Sequence, residues 1–274
     1  MAKKELKEMS FMDHLEDLRW LLVRSSIAII VLSCACYFID GFIFDTIIFG
    51  PKDPNFVTYK FFCEVTHYFG VDDTYACATE FSFIIQNTEV GGQFSMYLWT
   101  LITAGFILAF PYILWELWKF ISPALYEHER RHAGAFVIVS SLLFFIGVVF
   151  GYYIIVPLSI NFFGTFNVSD TIVNQFSIDS YTSMVKTSLV ASGLVFELPI
   201  IVYFLAKLGL VTPDFLRKYR KFAIVIILIV AAIVTPPDIP SQVIVSIPIL
   251  ILYEVSIIIA AVVAKKQKTN EQPS

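Results

Sequence analysis

Three groups of residues have types and spacings that could do chemistry. His128-Glu129-Arg130-Arg131-His132 has the form H-E-x-x-H. On a helix that pattern sets two histidines one turn apart to hold zinc, with the glutamate as base. Arg130 and Arg131 fill its middle positions and would repel a dication, and no third ligand is obvious. Neither a metal nor a cofactor is expected. Glu197 and Glu254 interrupt long apolar runs, and Lys186 lies in the same run as Glu197. Ionisable groups in such runs are costly and mark candidate sites. Lys186 and Glu197 are 11 residues apart, about 20° of net rotation and about 16 Å along a helix, so they share a face. That face either meets a cavity or a partner helix, or forms internal hydrogen bonds. The third group is acidic: Glu16 and Asp17, and Glu127 and Glu129, all set among basic residues. A carboxylate holds a guanidinium through two parallel hydrogen bonds, which lysine cannot match. Two such acidic points could read two arginines on a ligand, or could pair locally with Arg19, Arg130 and Arg131. Glu116 and Lys119, at i and i+3, form an interfacial pair.

The elements that must position these groups are membrane helices. Of 274 residues, 57% are hydrophobic and only 15% are charged, and the mean hydropathy is +0.75. A soluble domain carries about 25% charged residues, and a soluble surface could not hide so much apolar side chain. Disorder, a collagen-like fibre and a disulfide-stapled miniprotein are also excluded. A bilayer core needs roughly 20 apolar residues per helix. Six spans are predicted, at 19–40, 94–118, 135–158, 180–208, 220–235 and 240–264, within one membrane domain covering 1–274. The apolar part of the fifth, Phe222 to Val234, is short. Thr235-Pro236-Pro237-Asp238 turns it directly into the sixth, so the two read as short helices in a locally thinned bilayer.

Of the 19 lysines and arginines, all but Lys52, Lys60 and Lys186 fall on one side of these spans. The positive-inside rule makes that side, with both termini, cytoplasmic. The net charge of −4 therefore sums a basic inner face and an acidic outer one. Glu5, Glu8, Asp13, Glu16 and Asp17 make the N-terminus unlike a cleavable signal, so it is expected to be retained. Residues 41–93 form a large outer loop with turn signals at Gly50-Pro51, Asp53-Pro54 and Gly91-Gly92, and 265–274 form a cytoplasmic tail. Cys63 and Cys77 lie in the outer loop, where they could pair or remain free thiols. Cys34 and Cys36 fall within the first span as small packing residues. No internal repeat is evident.

Four motifs, in order, resemble the TatC component of the twin-arginine protein translocase. His14-Leu15-Glu16-Asp17-Leu18-Arg19 is similar to that family's N-terminal H-L-x-E-L-R, with Asp17 where glutamate is usual. The stretch from Trp118 through Pro123 and Glu127 to Arg131 resembles its first cytoplasmic loop, with Glu127 where lysine is often found. Phe196-Glu197-Leu198-Pro199 resembles its F-E-x-P. Thr235-Pro236-Pro237-Asp238, with Gln242 following, resembles its last outer turn, and Pro51 a proline of its first outer loop.

The resemblance implies an all-α integral membrane protein, a concave bundle of six helices with short helices 5 and 6. It implies a non-enzymatic receptor in the bacterial cytoplasmic (inner) membrane, which binds twin-arginine signal peptides and exports folded proteins by the proton-motive force. Implied partners are small single-span proteins of the TatA and TatB types, the signal peptides and further copies of the chain within the bilayer; no nucleic acid is expected. The signal-binding glutamate falls on Glu129, its acidic companion on Asp17, and further recognition positions on Phe120 and Arg131. Glu127 and Arg19 lie within the same motifs. Glu197 falls where a partner's polar group would dock, with Lys186, Glu254 and Gln242 as further polar candidates. Two competing readings remain: a proton-coupled small-solute transporter using Glu197, Lys186 and Glu254 as a relay, and a membrane metalloprotease using His128 and His132. The inverted repeats and broken helices common in transporters are not visible in the sequence.

Overall fold

A computed structural model describes residues 11–69, 83–122, 133–169, 171, 173–235 and 238–271. The apolar runs fold as helices because a backbone in lipid must satisfy its own hydrogen bonds. α1 spans Phe11–Cys36 and passes through a 3₁₀ turn, Tyr37–Ile39, into a π-helical stretch, Phe42–Ile48, and a second 3₁₀ turn, Gly50–Lys52. α2, Val57–Phe69, and strand β1, Ile84–Gln86, follow. α3 runs 30 residues from Gly92 to Ile121. α4, Ala133–Phe150, continues through a π-helical stretch, Gly151–Ile155, into α5, Val156–Thr165. Strand β2 is Gln175–Ser177, followed by α6, Ile178–Phe196, and α7, Leu198–Lys207. α8 is Pro213–Lys218, α9 Arg220–Val234 and α10 Ile239–Glu271.

Among the described residues, five helical stretches are long and apolar enough to cross a membrane: His14–Ile39, Gly92–Ile121, Gly134–Thr165, Ile178–Lys207 and Ser241–Lys265. α9, with 15 residues, is shorter than these. Large apolar side chains such as Ile30, Val31, Ile226 and Ile233 are more than half exposed, as expected of a lipid-facing surface. The chain is a multi-pass membrane protein.

Four features go beyond the sequence reading. The segment 41–93, expected to be a loop, holds α2, a π-helical stretch and a strand. β1 pairs in parallel with β2, with Ile84 opposite Gln175 and Gln86 opposite Ser177, so among the described residues this two-stranded sheet accompanies the helices. The fourth run, one stretch from Ile178 to Lys207, is interrupted by a turn at Glu197 between α6 and α7. Pro199, in the first turn of α7, cannot donate to the carbonyl one turn earlier. The Glu197 N–H instead turns back to Leu194 O at 3.1 Å. At the C-terminal end, α10 continues through the tail to Glu271.

The chain forms two compact units, Met1–Asp40 with Leu101–Ser141, and Gly41–Thr100 with Leu142–Ser274. In the first, α1 and α3 touch through Gly105. A Cβ there would lie 2.1 Å from Ser33 Oγ and 2.8 Å from Ile29 O, so only glycine permits the approach. In the second, a Cβ on Gly193 of α6 would meet the Phe144 ring of α4 at 2.6 Å. Ile155, Ile227, Ala231, Val245 and Ile249 make one buried cluster of that unit. Ala206, Leu216, Ile257, Ala260 and Val263 make another, joining α7, α8 and α10.

Proline also explains how the segment that carries α2 docks on α4–α5. Pro157 lacks an N–H, which leaves the carbonyl of Tyr153, four residues earlier, without its helical donor. Thr58 Oγ1 of α2 donates to that carbonyl. Next to it, the Tyr59 hydroxyl lies 2.9 Å from Pro51 O and 3.2 Å from Pro157 O, and Tyr181 donates to Ile48 O at 3.0 Å.

Candidate functional site

The N-terminal motif and the end of α3 meet within the first unit. His14 on α1 stacks on Phe120 of α3, with ring centroids 4.3 Å apart and planes at 22°. Asp17 and Arg19 follow on the next turn of α1, both exposed. Phe120 is half-buried, and Trp118 beneath it is buried and stacks on Phe136 of α4 at 4.7 Å. Ser122 donates to Lys119 O at 3.2 Å and so serves a carbonyl at the C-terminal end of α3. This corner therefore presents an exposed carboxylate and guanidinium beside an aromatic pair. Pro123, Glu127, Glu129, Arg131 and the His128–His132 motif lie outside the described residues. Among the described residues no group of three His, Cys, Asp or Glu side chains could hold a metal ion.

Just below, Glu116 is buried at 3% exposure, which the local i,i+3 reading did not anticipate. Its Oε1 takes Lys119 Nζ at 2.6 Å and its Oε2 takes Arg24 Nη1 at 3.3 Å. Arg24, 92 residues away in sequence, carries no local signal of that pairing.

The second unit holds the intramembrane candidates, which are spread over several places. Glu197 is 6% exposed and sits at the break between α6 and α7, where its carbonyl accepts from Ile200 and Ile201 N–H, both at 3.0 Å. Lys186, earlier on α6, is half-buried. Glu254 pairs instead with Arg220, Nη2 to Oε2 at 2.9 Å, and both side chains are about half exposed. Gln242 donates to Leu228 O at 3.0 Å, tying α10 to α9. Asp238 Oδ2 accepts from Ser241 N at 2.8 Å and so caps α10. Pro236 and Pro237 lie outside the described residues. Pro51 is buried and accepts from Tyr59. Cys63 is disulfide-bonded, Cys34 and Cys36 are free thiols, and Cys77 is outside the described residues.

Residues 13–248 match the family described as Sec-independent protein translocase protein (TatC). The chain belongs to the TatC family. It is 41% identical to the TatC of Blattabacterium sp. subsp. Periplaneta americana over 265 residues, 97% of this chain and all of that one. It is 33% identical to the Aquifex aeolicus TatC, covering 95% of this chain and 98% of that one. Against the Bacillus subtilis TatCy it is 34% identical, covering 98% and 96%. Among solved structures, the twin arginine translocase receptor TatC superposes with a TM-score of 0.68 at 31% identity, over 92% of this chain and 99% of that one. Membership makes this TatC-family chain a component of a protein translocase and not an enzyme, and the resemblance drawn from the four motifs holds.

Proposed function

We propose that this TatC-family chain is the signal-peptide receptor of a twin-arginine translocase in the bacterial inner membrane. It has six spans, with α9 a short fifth crossing where the bilayer is thinned, and both termini face the cytoplasm, where its basic residues concentrate. These spans make one membrane domain over 1–274, with 41–93 outside. Glu129, assisted by Asp17, takes the two guanidinium groups of the signal peptide in bidentate hydrogen bonds. Phe120 and Arg131 flank that contact, with Glu127 and Arg19 beside it. The observation that carries this reading is the His14–Phe120 stack, which joins the Asp17 motif to the end of α3 from which the Glu129 loop departs.

Glu197, in its buried position at a helix break, receives a polar group from a single-span partner helix of the TatA or TatB type. Lys186, Gln242 and Glu254 are further polar candidates of this unit for such partners, the last two exchanging their present bonds to Leu228 O and Arg220. Folded precursors then pass outward by the proton-motive force, through an assembly with several copies of the chain. Glu129→Ala is expected to abolish site-specific cross-linking of a twin-arginine peptide while the protein remains inserted; undiminished cross-linking sinks the assignment. Glu197→Ala is expected to weaken partner association and transport more than peptide binding. A loss confined to peptide binding contradicts that role.

A further inference from the structure

The Arg24–Glu116–Lys119 triad has no part in the proposed contact with a cationic signal peptide, since its net charge is positive. Its geometry is that of a held cation pair. Glu116 is 3% exposed and engages each cation through a different oxygen, at 2.6 and 3.3 Å. The cations themselves are about half exposed, 51% for the Arg24 side chain and 49% for Lys119. The carboxylate therefore fixes both cations from the inside, while most of their N–H groups are left for an outside acceptor. Each cation also lies over an exposed indole, Arg24 at 5.9 Å from the Trp20 ring and Lys119 at 5.6 Å from Trp115.

The Arg24 backbone lies at the edge of the hydrocarbon core, just beneath the headgroup layer. Arg24 lies 16 residues from Asp40 at the other end of its span, about 24 Å of helix across a hydrocarbon core of about 30 Å. A long basic side chain at that depth reaches up to the interface, where tryptophan is also enriched. We infer that Trp20, Arg24, Trp115 and Lys119, braced by Glu116, form a binding site for the phosphate of an anionic phospholipid where the middle of α1 meets the C-terminal end of α3. Charge complementarity selects the lipid: a zwitterionic headgroup brings its own cation to the site, whereas phosphatidylglycerol brings only the anion.

The experiment uses the full-length protein in nanodiscs and scores co-purified lipid against phosphatidylglycerol and phosphatidylcholine. A basic residue near an anionic surface contributes about fivefold in binding. The triple variant Arg24→Gln/Glu116→Gln/Lys119→Gln leaves no buried charge unpaired and removes one net positive charge. It is expected to lose about fivefold in phosphatidylglycerol retention, with phosphatidylcholine unchanged. Glu116→Gln alone raises the local charge and is expected to increase retention by a similar factor. Equal loss of both lipids in the triple variant, or weaker phosphatidylglycerol binding by Glu116→Gln, overturns the site. In the unmutated protein, brominated phosphatidylglycerol is expected to quench indole fluorescence more strongly than brominated phosphatidylcholine, and that difference is expected to vanish in Trp20→Phe/Trp115→Phe. Equal quenching by the two lipids also overturns the site.

Discussion

Tyr59 shows how much one hydroxyl can determine. Its single proton serves two proline carbonyls, and the ring is 4% exposed. Ionisation would turn a phenolate toward two acceptors, so burial, and then the charge interaction with Tyr181, pushes its pKa well above the usual tyrosine range. The folded value exceeds the unfolded one, so this group's stabilisation is complete below about pH 10 and falls as pH rises beyond it. Thermal melts in detergent are expected to lose stability above that pH more steeply in the unmutated chain than in Tyr59→Phe. At neutral pH Tyr59→Phe is expected to cost about 1–3 kcal/mol, because two buried carbonyls lose their donor. Identical alkaline slopes would show that Tyr59 does not titrate as described. At the proposed receptor corner, Asp17→Asn keeps the shape of the side chain and removes its charge. It is expected to weaken a twin-arginine peptide roughly tenfold, since a charge-assisted hydrogen bond contributes about 1.5–3 kcal/mol, as read by peptide titration.

At the scale of elements, prolines and glycines decide where helices break and where they touch. Thr58 on α2 supplies the donor that Pro157 denies to Tyr153 O, so the two positions are coupled. Thr58→Val is expected to cost about 1–3 kcal/mol, and less in a Pro157→Ala background, where a backbone N–H is restored. A double-mutant cycle of thermal stabilities checks this, and strict additivity would refute it. Gly193 faces the fully buried Phe144; Gly193→Val is expected to lower stability by about 1–3 kcal/mol through overpacking, visible as a lower melting temperature. The extents of these elements were largely legible, because apolar runs in lipid must be helical. The break at Glu197 had a signal in Pro199 that the continuous hydropathy of 180–208 outweighed. β1 and β2 had none, since three residues are too few to establish a period. The Arg24–Glu116 and Arg220–Glu254 pairs were invisible for another reason: each joins residues on different helices, and reading along one helix finds only partners such as Lys119.

For the whole molecule, the charge asymmetry makes a direct prediction. Alkaline phosphatase fused after Lys60 is expected to be active, and fusions after Lys218 or Lys268 inactive; the reverse pattern would invert the proposed orientation. The strand pair constrains the number of crossings, whichever way the chain is oriented. Ile84 and Gln175 can be partners only if they lie on the same side of the bilayer, so the chain between them crosses it an even number of times, as α3 and α4–α5 would. The same pairing carries a consequence for biogenesis. β1 emerges early from the ribosome, but its partner strand is made only after two further helices have been threaded through the membrane. Until then β1 has an unfilled strand edge. The face of this protein that carries the strand pair is therefore completed late, and a chain stalled before Gln175 would wait exposed to whatever else offers a strand.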